Sequence, residues 1–378
     1  MDIDYLREQI NQIDETLIEL FIKRMEVVNN VALYKKENSV ALVDKAREEE
    51  IIKKHLVKST SEVQKLQLRE FLESLMDISK KAQKTILNDT NYNFISSDVE
   101  LEQKCVVGFQ GVKGSFSHQA LMEYFDESAF ENKCYLSFKD VFEGLRKDEI
   151  KYGILPIENS STGGIAEVYD LLGEYNFYIV GEKSIQVEHN LLGLPGSDIS
   201  KIKEVYSHTQ GFLQCSQFFD SYPDWRLIPY FNTAKSAEYI EKENVISKAC
   251  VASRSAAELY GLNILKSNIN NSSKNYTRFI VISKDIKLVP KCDKISVVIS
   301  LHHKTGALFN ILKHFAENET NMLKIESRPI LDKSWQYFFY IDFNGNLNNE
   351  NTKVVIKNIM EESIYFKLLG NYVCEVNI

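Results

Sequence analysis

Apolar residues in the first part of the chain recur at every third or fourth position, which is the period of an α-helix. The series from Leu6 to Tyr34 predicts one long amphipathic helix from about Asp4 to Lys36. Two further helices are predicted from about Asp44 to Lys58 and from about Ser61 to Leu87. The first 107 residues contain neither glycine nor proline, so an all-helical segment is expected.

The pattern changes after residues 88–103, a polar and aperiodic stretch that we interpret as a linker. From Cys105 to Asp285, short apolar runs of strand length alternate with helix-like segments, which predicts a mostly parallel α/β fold. After Pro290 the predicted order is strand, helix, strand, strand, helix, strand, typical of a ferredoxin-like α+β domain. A chain of 378 residues is too long for one ordinary core. We therefore predict a multidomain protein with domains at residues 1–90, 104–285 and 293–378.

Composition narrows the possible functions. Hydrophobic residues make up 44% and charged residues 26% of the chain, which is typical of globular proteins. The net charge of −8 argues against general nucleic-acid binding, so local cations would have to bind any anionic ligand. Because no apolar run approaches ~18 residues and no N-terminal signal is seen, we expect no membrane span and a cytoplasmic location. The six cysteines lack zinc spacing, and we expect reduced thiols and no metal site.

Charged residues of the helical segment fall on shared helix faces. Arg24 and Lys35 are eleven residues apart, which returns them to within about 20° of one face. Arg7 precedes Arg24 by seventeen residues, roughly 25 Å along the helix and about 100° around it, so one chain cannot place both in one pocket. Steps of three and four residues place two further groups on single faces, Asp44 with Arg47 and Glu48, and Ser79 with Gln83.

This set of residues resembles, position by position, the all-helical chorismate mutase family, which implies an intertwined dimer whose pockets each receive Arg7 from the partner chain. The Claisen rearrangement of chorismate to prephenate needs neither a nucleophile nor proton transfer, because the enzyme only has to hold a dicarboxylate in a compact conformer and stabilise its developing charge. Arginines suit the carboxylates, and Lys35 and Gln83 would donate to the ether oxygen. Glu48 and Asp44 would hold the substrate hydroxyl and the cations. The alternative for these residues is an exposed coiled coil with solvated charges.

A polar loop in the middle of the chain joins a predicted core strand to a predicted helix. The strand is Tyr152–Ile157, the helix is Ile165–Leu172, and between them Glu158–Thr162 brings together a carboxylate, an amide and three hydroxyls. Free N–H groups and the positive dipole end at a helix N-terminus favour an anionic ligand. The alternative is a turn that merely links strand to helix.

Three other segments place polar residues beside a predicted strand. Gly108–Ser115 is glycine-rich, but its spacing fits neither the dinucleotide-binding nor the P-loop pattern. We therefore expect a second anion site before the helix His118–Phe125 rather than a nucleotide site. Tyr206–Gln210 leads into a predicted helix at Phe212–Phe219, and Asn275–Phe279 places a polar pair just before a buried strand.

The motifs Gly-x-x-Gly-Ser-Phe-Ser, Pro-Ile-Glu-Asn-Ser and Thr-Arg-Phe, in this order, closely resemble those of prephenate dehydratases across residues 104–285. The resemblance implies two α/β lobes, like those of a periplasmic binding protein, with the active site in the cleft between them. It also implies that the chain crosses to the second lobe after about Val180 and returns just before Thr277.

The resemblance further implies roles for single residues. Prephenate loses CO2 and its ring hydroxyl, and aromatisation supplies most of the driving force, so the enzyme mainly holds two carboxylates and helps hydroxide leave. Thr277 would lie at the departing hydroxyl, where it would orient a proton relay because threonine is a weak acid. Arg278 would pair with a carboxylate or brace the cleft. The other residues expected to contact the substrate are Glu158, Asn159, Ser161, Ser207 and Gln214.

Two C-terminal motifs, Thr305–Leu308 at the first predicted helix and Ile325–Pro329 after the second predicted strand, resemble the phenylalanine-binding motifs of ACT domains. Phe309 stands where a smaller apolar residue is usual, so its bulk would narrow the effector pocket. In the family the amino acid binds between two such domains, which implies an oligomer. The implied regulatory residues are Gly306, Ala307, Leu308, Glu326, Ser327 and Arg328.

These observations predict a cytoplasmic, homo-oligomeric enzyme, a dimer or larger, that combines chorismate mutase and prephenate dehydratase activities and is inhibited by phenylalanine. We expect no metal, no organic cofactor, no nucleic-acid partner and no membrane association. One alternative is a non-catalytic sensor, in which the central region binds a small anion and the C-terminal domain reports it. Such a sensor would need neither the mutase residues nor Thr277 before the last central strand. Another alternative is that one of the two active sites has decayed.

Overall fold

The computed structural model describes residues 2–38, 45–57, 59, 61–87, 105–125, 130–286, 289–330 and 335–375. Within these residues, no helix is long and apolar enough to cross a membrane, and no group of histidine, cysteine or carboxylate side chains is arranged to hold a metal ion. The chain divides into two compact units, Met1–Asn93 and Phe94–Ile378. The predicted linker at 88–103 lies outside the described residues.

The first unit is helical, as the periodicity predicts. Its described helices are α1 (Ile3–Asn38), α2 (Lys45–Leu56) and α3 (Glu62–Leu87). Ile52, Leu72 and Met76 form a small core where α2 meets α3. Much of the predicted apolar stripe on α1 is exposed in the single chain, with Ile13 60% and Leu20 59% accessible. An exposed apolar face of this kind is typical of an interaction site.

The described part of the second unit contains three sheets with helices between their strands. Its strands are β1 (Cys105–Gln110), β2 (Phe130–Tyr135), β3 (Tyr152–Asn159), β4 (Gly163–Gly164), β5 (Tyr178–Gln186), β6 (Asn190–Gly193), β7 (Glu204–Ser207), β8 (Arg226–Pro229), β9 (Lys248–Ala252), β10 (Asn263–Lys266), β11 (Tyr276–Ser283), β12 (Lys294–Ser300), β13 (Met322–Pro329), β14 (Tyr337–Asn344) and β15 (Tyr365–Tyr372). Its helices are α4 (Phe116–Tyr124), α5 (Phe138–Arg146), α6 (Ala166–Glu174), α7 (Thr209–Leu213), α8 (Ser216–Phe219), α9 (Thr233–Glu243), α10 (Arg254–Leu259), α11 (Ala307–Glu317) and α12 (Glu350–Glu362).

The first two sheets contain antiparallel pairs, but in each of them all the long strands except one run in the same direction, which agrees with the prediction of a mostly parallel fold. The first sheet has the order β2-β1-β3-β11-β5, with β4 beside β3, and the second has the order β10-β6-β9-β7-β8. β11 runs antiparallel to β3 and β5, and β6 runs antiparallel to β9 and β10. The chain leaves the first sheet at the carboxyl end of β5 and re-enters it beside that end. The returning strand β11 therefore runs antiparallel to β5. The predicted helix Phe212–Phe219 is instead two short helices, α7 and α8, interrupted at Gln214.

The crossing between the first two sheets comes later than predicted. β5 remains paired with β11 as far as Gln186, which lies opposite Tyr276. The chain therefore crosses at residues 187–189 instead of soon after Val180. The return falls between Lys266 and Tyr276, as predicted.

The third sheet confirms the predicted order of strands and helices, and its strands lie in the order β13-β14-β12-β15. Successive side chains of a strand point to opposite faces, so each face of this sheet has its own core. Val297 and Ile341 pack with α11 and α12, whereas Val298 and Tyr340 pack into the core of the first sheet. The third sheet and the first sheet therefore share one core.

Gly370 marks the closest approach between the third sheet and the first. A Cβ atom added at Gly370 would lie 2.1 Å from the carbonyl oxygen of Ile179 in β5. Any side chain at this position would therefore push the two sheets apart, which explains the glycine.

Candidate functional site

Two adjacent strands of the first sheet, β3 and β11, carry the residues of the central polar motifs. Their register pairs Asn159 with Thr277 and Glu158 with Arg278. Because neighbouring side chains along a strand point to opposite faces, these two pairs lie on opposite faces of the sheet. One face therefore carries an amide and a hydroxyl, and the other carries a carboxylate and a guanidinium.

Asn159 holds both Thr277 and the loop after β3. Its Nδ2 atom donates to Thr277 Oγ1 at 2.9 Å and to Asn275 Oδ1 at 2.8 Å. Its Oδ1 atom accepts from the backbone N–H groups of Ser161 at 2.9 Å and Thr162 at 3.2 Å, which fixes the loop. Because Thr277 Oγ1 accepts from Asn159, the hydrogen of the Thr277 hydroxyl can be donated to another group.

Ser161 and Asn275 complete this polar cluster. The Ser161 hydroxyl donates to Asn275 Oδ1 at 3.3 Å, and Asn275 is buried. Asn275 belongs to the polar motif before β11, but its bond to Asn159 was not predicted from the sequence. Its spacing of two residues from Thr277, the period of one strand face, was the available signal.

The second sheet positions Ser207 and Gln214. Ser207 ends β7, and its buried hydroxyl donates to the carbonyl oxygen of Val251 at 3.1 Å, so it secures the neighbouring strand. Gln214 follows α7, and its Oε1 atom lies 2.9 Å from Nε2 of His189. His189 lies at the crossing between the sheets and was not predicted as a site residue. A lone histidine directly before an apolar strand was the only signal.

The glycine-rich segment Gly108–Ser115 leads into α4. The Ser115 hydroxyl accepts from the backbone N–H of His118 at 3.3 Å and caps this helix. His118 Nδ1 accepts from the backbone N–H of Gly114 at 3.3 Å, so the imidazole stabilises the turn. Ser253, the N-cap of α10, donates to the carbonyl oxygen of Gly114 at 3.0 Å and links the segment to the second sheet.

Arg278 lies among three carboxylates on the face opposite Thr277. Its Nη1 atom donates to Asp342 Oδ2 at 2.8 Å and to Glu182 Oε2 at 3.2 Å. Its Nη2 atom donates to Glu158 Oε2 at 2.9 Å. The structure therefore does not bring Glu158 and Arg278 into the cluster around Thr277. It places them where the first sheet meets the third.

Two lysines of the third sheet balance these charges. Lys294 Nζ donates to Glu182 at 2.8 Å, and Lys324 Nζ donates to Glu158. Burial opposes ionisation of Glu158 and Asp342, but attraction to the guanidinium and to these lysines outweighs burial and lowers the pKa of both carboxyls. Three cations thus face three carboxylates in a largely buried cluster.

In the helical unit, the structure brings some of the predicted residues together. Arg24 Nη1 donates to Ser79 Oγ at 2.5 Å, and burial lowers the pKa of Arg24. Lys80 Nζ lies 3.3 Å from Glu48 Oε2. Gln83 is buried, and its Oε1 atom has no hydrogen-bond partner among the residues that the structure describes.

Other predicted residues of this unit lie apart or cannot be placed. Lys35 is half-buried near the end of α1. Arg7 is exposed near the beginning of α1, where it pairs with Asp4 at 3.2 Å. Arg47 is exposed and pairs with a carboxylate of its own helix at 2.7 Å. Asp44 lies outside the described residues.

A cavity of about 480 Å³ lies beside the start of α11. Ala307 and Leu308 line it together with Trp335 and Tyr337. Gly306 directly precedes these two residues with a φ of 79°, a conformation that favours glycine. Trp335 was not predicted as a site residue, because it comes to lie beside the first motif only when the sheet folds.

The second predicted regulatory motif lies elsewhere on β13. Arg328 donates to both carboxylate oxygens of Asp170 in α6, at 3.0 and 2.8 Å. Within the described part of the chain, Glu326, Ser327 and Arg328 do not line the cavity. Phe309 is 66% exposed and does not line it either, so the expected narrowing of an effector pocket between two chains stays a prediction.

Comparisons with known proteins match the chain along nearly its whole length. The family model described as chorismate mutase type II matches residues 6–84, and the family model described as prephenate dehydratase matches residues 107–287. A bifunctional chorismate mutase/prephenate dehydratase of Buchnera aphidicola subsp. Schizaphis graminum is 32% identical over 385 residues. That alignment covers 99% of this chain and 97% of the relative.

Two solved structures each resemble 71% of the chain. The prephenate dehydratase of Arthrobacter aurescens in complex with L-Phe has a TM-score of 0.65 and 28% identity, with 90% of that chain covered. A structure described as GqqA, a novel type of quorum quenching acylase, has a TM-score of 0.65 and 26% identity, with 98% of that chain covered. Proteins described with different activities thus share this fold, so the fold alone does not decide the activity.

Proposed function

The chain belongs to the bifunctional chorismate mutase/prephenate dehydratase family, and from this we infer which residues carry its two activities and how phenylalanine regulates it. The enzyme rearranges chorismate to prephenate and converts prephenate to phenylpyruvate in phenylalanine biosynthesis. The observation that carries the assignment of the dehydratase centre is the 2.9 Å hydrogen bond from Asn159 to Thr277.

In the dehydratase centre, the departing ring hydroxyl of prephenate lies at Thr277. Thr277 Oγ1 accepts from Asn159, so its own hydrogen is available to the leaving group. Threonine is too weak an acid to supply the proton alone, so the hydroxyl orients a proton that arrives through a relay. Cleavage of the bond to CO2 supplies the electron pair that makes the ring aromatic, and hydroxide leaves as water once it is protonated.

The first and second sheets form two lobes, like those of a periplasmic binding protein, and prephenate binds in the cleft between them. Gln214 supplies donors to its carboxylates from the second lobe, and Ser161 acts in the first lobe by holding Asn275, to which its hydroxyl already donates. Ser207 acts by holding the loop that leads to Gln214, since its hydroxyl is already bonded to Val251. Glu158 and Arg278 act on Asn159 and Thr277 through the strands they share, because their side chains are on the other face.

In the helical unit, Arg24, Lys35 and Gln83 bind chorismate. The lowered pKa of Arg24 reflects a partly buried cation, and such a cation gains from an anionic ligand. A second copy of the chain covers the exposed apolar face of α1 and supplies Arg7 to the pocket. The exposure of Ile13 and Leu20 supports this intertwined dimer.

The third sheet with α11 and α12 is an ACT domain that binds phenylalanine. Trp335 and Tyr337 offer a wall for the phenyl ring, and the start of α11 offers N–H groups to the carboxylate. Because Glu326, Ser327 and Arg328 lie away from this cavity in one chain, a second copy completes the effector site.

The experiment that tests the dehydratase centre compares two variants of Thr277 in the full-length enzyme. Thr277→Val removes the hydroxyl while keeping the shape, and we expect the dehydratase kcat to fall at least about 100-fold. Thr277→Ser keeps the hydroxyl and is expected to retain most of this activity. The mutase rate should be unchanged in both variants. An active Thr277→Val variant, or equal loss of both activities, would contradict the assignment.

A further inference from the structure

His189 is held from several sides at the crossing between the first two sheets. The residue is only 3% exposed, and its ring lies edge-on to Phe116 with the centroids 5.7 Å apart. Its backbone N–H donates to Asn270 Oδ1 at 2.7 Å, and its backbone carbonyl accepts from Ile269 at 2.9 Å. Its Nε2 atom lies 2.9 Å from Gln214 Oε1. The imidazole therefore has one fixed orientation.

The surroundings of the ring decide which nitrogen carries the hydrogen. His189 Nδ1 is buried and has no hydrogen-bond partner among the described residues. A buried N–H without an acceptor is rarer in folded proteins than a buried acceptor without a donor. Burial also lowers the pKa of His189, so the ring is neutral and carries one hydrogen. That hydrogen lies on Nε2 and is donated to Gln214 Oε1.

This hydrogen bond fixes the Gln214 amide. The oxygen accepts from His189, so the NH2 group has to point away from the imidazole. Among the described residues this NH2 group has no hydrogen-bond partner, and Gln214 is only half-buried. Gln214 lies beyond the carboxyl end of β7, the edge at which α/β sheets bind ligands. Two amide N–H donors are thus presented in a set direction.

We propose that His189 is a positioning residue of the dehydratase centre, which holds the Gln214 amide so that its N–H groups meet a carboxylate of the substrate. This inference rests on the proposed contact between Gln214 and prephenate. If the orientation of the Gln214 amide were not fixed, its oxygen would face the substrate as often as its nitrogen. The oxygen would repel the carboxylate.

Two substitutions separate the two ring nitrogens. His189→Gln places an amide N–H near the position of Nε2, whereas His189→Asn places its amide near Nδ1 and loses the donor to Gln214. We expect His189→Asn to raise the KM for prephenate roughly 10-fold with little change in kcat, as for a lost hydrogen bond to a charged group. His189→Gln is expected to stay within about 3-fold of the wild type. A purely structural histidine would show no rescue by glutamine.

A double-mutant cycle with Gln214→Ala tests whether the two residues act as one unit. If His189 acts through Gln214, the KM of the His189→Asn, Gln214→Ala enzyme equals that of Gln214→Ala alone. Multiplied effects, or a wild-type KM for His189→Asn, would overturn the proposal. An unchanged KM for Gln214→Ala would overturn the substrate contact itself. The unchanged mutase rate of each variant serves as the control for an intact enzyme.

A spectroscopic measurement on the wild-type enzyme gives a second check that depends on no variant being folded. In protein labelled with ¹⁵N-histidine, the ring nitrogens of His189 are expected to show the neutral form with the hydrogen on Nε2 between pH 6.5 and 8. Assignment uses the signal that disappears in His189→Gln. A hydrogen on Nδ1, or a doubly protonated ring at pH 7, would overturn the proposal.

Discussion

The guanidinium of Arg278, in the strand that carries Thr277, donates to the carboxylate of Asp342 in the third sheet at 2.8 Å. Asp342 is in turn bonded to the Ser296 hydroxyl at 2.6 Å, which anchors it within its own sheet. The strand of the dehydratase centre is thus tied by a buried ion pair to the proposed regulatory domain. A shift of the third sheet on effector binding would therefore move Arg278, the residue next to Thr277.

We predict that Asp342→Asn weakens both the stability of the second unit and its inhibition by phenylalanine. The variant leaves Arg278 with one carboxylate fewer, and we expect a loss of about 2 kcal/mol because Glu158 and Glu182 remain. Both tryptophans, Trp225 and Trp335, lie in this unit, so their fluorescence during urea unfolding reports it selectively. The phenylalanine concentration for half-inhibition should rise about 10-fold.

The matched control is Glu350→Gln, which removes an exposed ion pair with Lys353 in the same sheet-and-helix region. Exposed pairs contribute less than about 1 kcal/mol, so this variant should unfold and respond to phenylalanine like the wild type. Inhibition of Asp342→Asn at the wild-type phenylalanine concentration would refute the proposed link.

Acid should destabilise the second unit through the same cluster. The pKa values of Glu158 and Asp342 are lowered in the folded state, so their contribution is present above the unfolded pKa of about 4 and is lost as pH falls through the folded values. We expect the free energy of unfolding to decrease as pH is lowered below about 5. Burial lowers the pKa of His189, which adds a separate loss that begins near pH 6.5.

Urea unfolding of the wild type and of Asp342→Asn between pH 3 and 7 measures the contribution of the Asp342 carboxylate to the pH dependence of stability. The wild-type curve should be steeper than that of the variant below about pH 5, since only the wild type has to protonate Asp342 in order to lose the pair. Parallel curves would show that Asp342 does not carry the acid sensitivity.

Shared mutase pockets predict complementation between two inactive chains. Arg7→Ala and Lys35→Ala each remove one cation from every pocket of a uniform dimer. In a mixed dimer, one pocket can take its native Arg7 and Lys35 from different chains, so we expect about one quarter of the wild-type mutase rate in an equal mixture. Mass spectrometry can verify that the subunits have exchanged. A mixture that exchanges but stays inactive would contradict the intertwined dimer.

The elements that could be predicted from the sequence are those whose signal is local. The long helix α1 and the order of the third sheet follow from hydrophobic periods within each segment. The crossing at 187–189 depends on how far β5 pairs with β11, about ninety residues away, so no local signal places it. Which strand of each sheet runs antiparallel to the others also depends on pairing between distant segments, so no local signal predicts it.

The candidate site divides in a similar way. Strand alternation alone places Asn159 and Glu158 on opposite faces, and the pairing with Thr277 and Arg278 follows once the two strands are adjacent. Which face the third sheet covers could not be predicted, because it depends on packing between two segments that look like separate domains. The contact between His189 and Gln214 was not predicted because it joins the crossing segment to the end of α7, two segments that no local pattern connects.

The most direct test of the account is the conversion of chorismate by the purified full-length protein, followed to prephenate and phenylpyruvate with and without phenylalanine. The account predicts that phenylpyruvate forms, and that added phenylalanine suppresses it while prephenate accumulates. Prephenate that accumulates without any phenylpyruvate, in the absence of phenylalanine, would contradict the dehydratase centre at Asn159 and Thr277.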